Sequence, residues 1–124
     1  MCWRRLSTSK THRDVRFFIS DILEAIGKIE KYVHDKSYEE FQRDEKTKDA
    51  VVRNLEIVGE AVRNIPENFK EKYPDMDWKA AAGMRDKLIH EYFGVSLSIV
   101  WETVKSDLPP FKKRLMEVSK ETQE

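Results

Sequence analysis

The sequence predicts an all-α, antiparallel bundle of about five helices. Three observations carry that expectation. Apolar residues recur at i, i+3, i+4, i+7 spacing in several separate segments, no segment alternates with period two, and neither an Asn-Gly hairpin signal nor an internal repeat is present. The chain has 124 residues, enough for one core and too few for two.

The first helix is the clearest. Val15, Phe18, Ile19, Ile22, Leu23, Ile26, Ile29 and Val33 form one stripe, and His34-Asp35-Lys36-Ser37 ends it. A second helix covers roughly 44–65, with Val51, Leu55, Val58, Val62 and Ile65 as its stripe. Ala50, Ile57 and Ala61 widen that face, which points to more than one neighbour. Pro66 starts a short helical turn that Pro74 closes, because proline fits a first turn and opposes helix in the residue before it. Asp77 suits an N-cap for a third helix from Trp78 toward His90. Gly94 punctuates, and Ser96 can cap a fourth helix carrying Ile99, Val100 and Val104. Leu108-Pro109-Pro110 reads as a break before a final helix with Phe111, Leu115 and Val118. Short connections favour antiparallel neighbours.

The domain is expected over 13–119, with residues 120–124 as a polar tail. Residues 1–12 are basic, rich in Ser and Thr and free of acids, like a transit peptide. Trp3 and Leu6 are too few for an amphipathic face, so a disordered lead-in, or a start assigned too far upstream, is the expectation. The 23 basic and 23 acidic residues cancel, so bulk charge steers the chain to neither nucleic acid nor membrane, and a polyanion would need a local site. A lone cysteine, Cys2, excludes an internal disulfide and fits a reducing, cytoplasmic setting. No apolar run reaches the roughly 18 residues of a membrane span.

Most catalytic signatures are missing. There is no Gly-rich phosphate loop, no GxSxG and no paired cysteines for zinc, while His12, His34 and His90 lie far apart. Trp78 and Trp101 read as core or interface anchors rather than base-stacking platforms. The informative stretch is Arg85-Asp86-Lys87-Leu88-Ile89-His90-Glu91-Tyr92-Phe93. Asp86 and His90 are i, i+4 neighbours, so the carboxylate can orient the imidazole and fix its tautomer. Arg85 and His90 are about 140° apart around a helix, whereas Arg85 and Tyr92 share a face if the helix continues. Taken by themselves these residues suit a phosphate site or an ordinary set of surface ion pairs.

RDKLIHEYF resembles the R-x4-H-x-Y motif of the HEPN superfamily, specifically the HepT-like toxins of the DUF86 group. Residues 13–32, 54–66 and 78–95 are similar to that family's three main blocks in its order, and the likeness runs from about Arg13 to Leu115. The resemblance implies a HEPN-like bundle and a ribonuclease toxin of a toxin–antitoxin pair. It implies catalytic Arg85 and His90, a supporting Asp86, and Tyr92 as the tyrosine that a cognate nucleotidyltransferase antitoxin adenylylates. It also implies RNA as substrate, no metal or cofactor, and a twofold homodimer that joins two motifs in one cleft. Two alternatives accompany it: a non-catalytic nucleotide- or substrate-binding partner of a nucleotidyltransferase, and a plain interaction bundle.

Overall fold

A computed structural model describes residues 14–91 and 97–123; for Lys87, Ile89, His90, Glu91 and Gln123 it describes the helix backbone without the side chain. The regular elements among the described residues are all helical: α1 Val15–Val33, α2 Tyr38–Arg43, α3 Glu45–Asn64, α4 Glu67–Glu71, α5 Trp78–Glu91, α6 Leu97–Glu102 and α7 Leu108–Gln123. Helix α1 packs on α3, α3 on α5, and α1 also on α7. Lys112 Nζ meets Glu30 Oε1 at 2.7 Å, which puts the start of α7 beside the end of α1.

The core follows the predicted stripes. Phe18, Ile19, Ile22, Ile26, Ile29 and Val33 of α1 are buried, as are Val51, Leu55, Val58 and Val62 of α3. Each large apolar side chain so removed from water contributes about 1.5–3 kcal/mol. Helix α3 does touch more than one neighbour, α1, α5 and α2; Ala61 is buried in that wider face, while Ile57 remains 39% exposed.

Caps set the helix starts. Asp14 accepts from Arg16 N at 2.9 Å to begin α1. After α1, Asp35 turns the chain with a φ of 58°, a left-handed conformation that Asp tolerates better than most residues. Asp44 takes Thr47 N at 3.1 Å and Thr47 Oγ1 at 2.7 Å to start α3. At Trp78 the expected cap is present: Ala80 N donates to Asp77 Oδ1 at 3.3 Å.

Two features differ from the sequence expectation. Helix α2 had no counterpart there, yet Ser37 and Glu40 close a full capping box around it, with Glu40 N donating to Ser37 Oγ at 3.1 Å and Ser37 N to Glu40 Oε1 at 2.9 Å. It drives Phe41 into the core and places Tyr38 and Phe41 against Trp101, at ring-centroid distances of 5.9 Å and 5.1 Å. The second correction concerns Leu108-Pro109-Pro110, which does not break the chain. Residues Thr103–Asp107 form a π-helical segment that carries α6 directly into α7, and Leu108 N–H reaches back to the carbonyl of Thr103. A proline in an α-helix lacks its N–H and clashes with the carbonyl four residues earlier; the wider π turn relieves the clash and needs fewer donors at that point. The predicted fourth and final helices are therefore one continuous rod, which α7 extends through Gln123. Ser96 and Gly94 lie outside the described residues.

Candidate functional site

The helix that bears the motif is held at its start and middle. Trp78 is buried, donates Nε1–H to the carbonyl of Tyr73 at 3.0 Å and meets Phe111 edge-on at 6.2 Å. Ala81 is buried against the rest of the core. One turn further on, α5 crosses α3 at Gly59. A β-carbon on Gly59 would lie 3.0 Å from Arg85 Cβ, 3.1 Å from Arg85 N and 3.2 Å from the carbonyl oxygen of Ala81. Two of those three atoms are backbone, so a side chain there would need α5 to give by a few tenths of an ångström. Glycine suits the close approach rather than an unusual turn.

That crossing fixes where Arg85 emerges. Its guanidinium approaches Glu60 Oε2 through Nε at 3.3 Å and Asp86 Oδ1 through Nη1 at 3.9 Å, and the side chain stays 36% exposed. Arg63 Nη1 lies 3.6 Å from the same Asp86 oxygen. Each helix thus contributes one acid and one arginine, with Asp86 between two guanidiniums. The pairs are exposed and add little to stability, so orientation is the larger consequence. Arginine carries five N–H donors in a planar fork that matches phosphate oxygens, and loose pairing leaves donors to offer.

Of the sequence-predicted residues, the structure places Arg85, Asp86 and the backbone of His90 on α5. The side chain of His90 and all of Tyr92 lie outside what is described, and so does the imidazole partner proposed for Asp86. Sequence reasoning missed Gly59, Glu60 and Arg63. The i, i+3 spacing of Glu60 and Arg63 marks one face of α3, but nothing local says which helix faces it.

A cavity of about 800 Å³ opens on another side of α5, lined by Leu55, Val58, Met84, Leu88 and Phe111. Its lining is mainly apolar, and Arg114 at its edge already donates to Asp75 at 2.6 Å. Among the described residues no three or more His, Cys, Asp or Glu side chains gather as a metal site, and no helix is long and apolar enough to cross a membrane.

The fold and site together define an all-helical protein presenting an arginine on a motif helix. Residues 22–118 match the family model described as ribonuclease HepT-like, and the chain belongs to that family. It is 45% identical over 111 residues to "Probable ribonuclease HepT" of Thermococcus cleftensis, covering 90% of this chain and 98% of the relative. It is 48% identical over 109 residues to "Putative RNase MJ1216" of Methanocaldococcus jannaschii, covering 88% and 90% of the two chains. A "Putative RNase TTE0752" of Caldanaerobacter subterraneus is 45% identical over 103 residues, covering 83% and 92%. No solved structure matches the chain.

Proposed function

We propose that this protein is a metal-independent endoribonuclease and the toxin of a toxin–antitoxin pair. The observation that carries the reading is Arg85, loosely held by Glu60 and Asp86 on the helix that also carries His90 of the Arg-x4-His-x-Tyr sequence, in a ribonuclease HepT-like chain.

The ribose 2′-OH attacks the adjacent phosphorus while a base takes its proton. The P–O5′ bond breaks, and an acid protonates the departing 5′ oxygen. The products are a 2′,3′-cyclic phosphate and a 5′-hydroxyl. RNA supplies its own nucleophile, so no metal-activated water is needed. His90 moves the protons, because an imidazole titrates near neutrality. Arg85 holds the phosphorane oxygens, where negative charge grows most. Asp86, one turn before His90, orients the imidazole. Since acid and base steps want two imidazoles, a twofold dimer places a His90 from each protomer in one cleft. Two Arg85 side chains there give this neutral chain the local positive field that RNA needs.

Adenylylation of Tyr92 by a cognate nucleotidyltransferase switches the site off. The added phosphate competes for Arg85, and the nucleoside fills the cleft. Coexpressed with that enzyme, the wild type gains AMP on the Tyr92 peptide and loses toxicity, whereas Tyr92→Phe stays unmodified and toxic. AMP on another residue would break the switch.

The reaction is tested by digesting RNA in EDTA and identifying the product ends. Cyclic phosphate and 5′-hydroxyl termini, lost in His90→Ala, are expected. Products bearing 5′-phosphate, or activity abolished by the chelator, contradict the mechanism. A protein that binds nucleotide and cleaves nothing would instead be a partner subunit.

A further inference from the structure

We infer that Glu60 is the positioning residue for Arg85: it holds the guanidinium from its Nε side so that the Nη edge faces the RNA phosphate. This inference rests on the ribonuclease reading above and deepens it by one residue.

Three observations support it. The nearest approach between the two side chains is at Nε, 3.3 Å from Glu60 Oε2, rather than at the outer nitrogens. Glu60 directly follows Gly59, where a β-carbon would lie only 3.0 Å from Arg85 Cβ; the crossing therefore delivers this carboxylate to this arginine. Glu60 also has no competing arginine among its ion pairs within the described residues, because Arg63, three positions on, turns to Asp86 at 3.6 Å. An arginine on a flexible stem samples many rotamers, and a carboxylate on Nε selects those that aim the remaining fork outward. The same carboxylate opposes RNA binding by its charge, so its removal has two effects of opposite sign.

Those signs give the test. Steady-state cleavage kinetics are measured for wild type, Glu60→Ala, Glu60→Gln, Arg85→Ala, Arg85→Lys and the Glu60→Ala/Arg85→Lys double variant. In Glu60→Ala, kcat should fall about tenfold through misplacement of the fork, while KM falls about twofold through lost repulsion. Glu60→Gln keeps an oxygen facing Nε and loses only the charge, so KM should fall equally while kcat stays within about twofold of wild type. Lysine has no Nε–H fork to hold, so Glu60→Ala should change kcat by less than about twofold in the Arg85→Lys background. General damage to the fold would move neither KM downward nor kcat back with glutamine.

Unchanged kcat in Glu60→Ala, a glutamine variant as slow as the alanine one, or multiplicative losses in the double variant would overturn the assignment while leaving the ribonuclease reading intact. Full cleavage by Arg85→Ala would overturn both.

Discussion

Two arginines of this protein are almost equally exposed and very differently held. Arg114 donates Nε–H to Asp75 at 2.6 Å, pairs with Glu117 at 3.3 Å and lies over the Tyr73 ring, 5.6 Å from its centroid. Its hydrogen bond holds the Asp75 carboxyl below the ordinary carboxylate range and raises the Arg114 pKa in turn. Among the described residues, Arg85 has no carboxylate closer than 3.3 Å, and its second contact is at 3.9 Å. Side-chain exposures are 33% and 36%, so access does not separate them. Engagement does. A guanidinium fixed by a short bond and a ring fastens α7 to the turn before α5, whereas one steered by longer contacts keeps donors for a ligand.

The contrast breaks first at Arg85. Arg85→Ala should lower the RNA cleavage rate by about 10²–10³-fold, the usual cost of losing a donor that stabilises growing negative charge. Its melting temperature should hardly change, since exposed ion pairs contribute little. Equal losses of melting temperature and rate would make Arg85 a structural residue like Arg114. Gly59→Ala comes next. Its methyl group meets backbone, so α5 must move, and a rate loss of about tenfold with a melting temperature lowered by several degrees is expected from overpacking.

Arg114→Ala sharpens the comparison from the other side. Thermal melting should shift down by a few degrees while cleavage stays within about twofold of wild type. Acid should act in the same place. A carboxyl whose folded pKa is depressed stabilises the fold above its unfolded pKa and loses that contribution as pH falls through the lower folded value. Asp75, held down by Arg114, Asp44, held down by Thr47, and Glu40, held down by the Ser37 backbone, all have that sign. Melting temperature should therefore be flat near neutrality and decline below about pH 4. Loss of stability on raising the pH from 5 to 7 would contradict the assignment. The smallest effect is expected for Asp86→Asn, within about threefold in rate, because the pairing with Arg63 and Arg85 is long and exposed.

Much of this architecture was legible in the sequence because helical periodicity is local. The Ile19–Ile22–Ile26–Ile29 stripe names its own buried face, and Asp77 and Trp78 mark the start of α5. Helix α2 carried an equally local signal, the Ser-x-x-Glu capping box at Ser37 and Glu40, but it is six residues long and has too few turns to show a period. Pro109 and Pro110 misled for a different reason. Proline breaks an α register, and nothing at the prolines announces that Thr103–Asp107 has already changed register. In the site, Arg85 and Asp86 were readable as one motif. Gly59, Glu60 and Arg63 were not, because they matter only through the helix that crosses them.

The most direct test places both arginines in one spectrum. Guanidinium 15N–1H resonances, assigned with Arg85→Lys and Arg114→Lys, are followed while RNA carrying 2′-O-methyl groups, which cannot attack its own phosphate, is titrated in. The Arg85 signals should shift with saturation while those of Arg114 stay in place. Arg85 signals that remain still while RNA binds, or Arg114 signals that move as far, would contradict the claim that Arg85 is the phosphate-binding group.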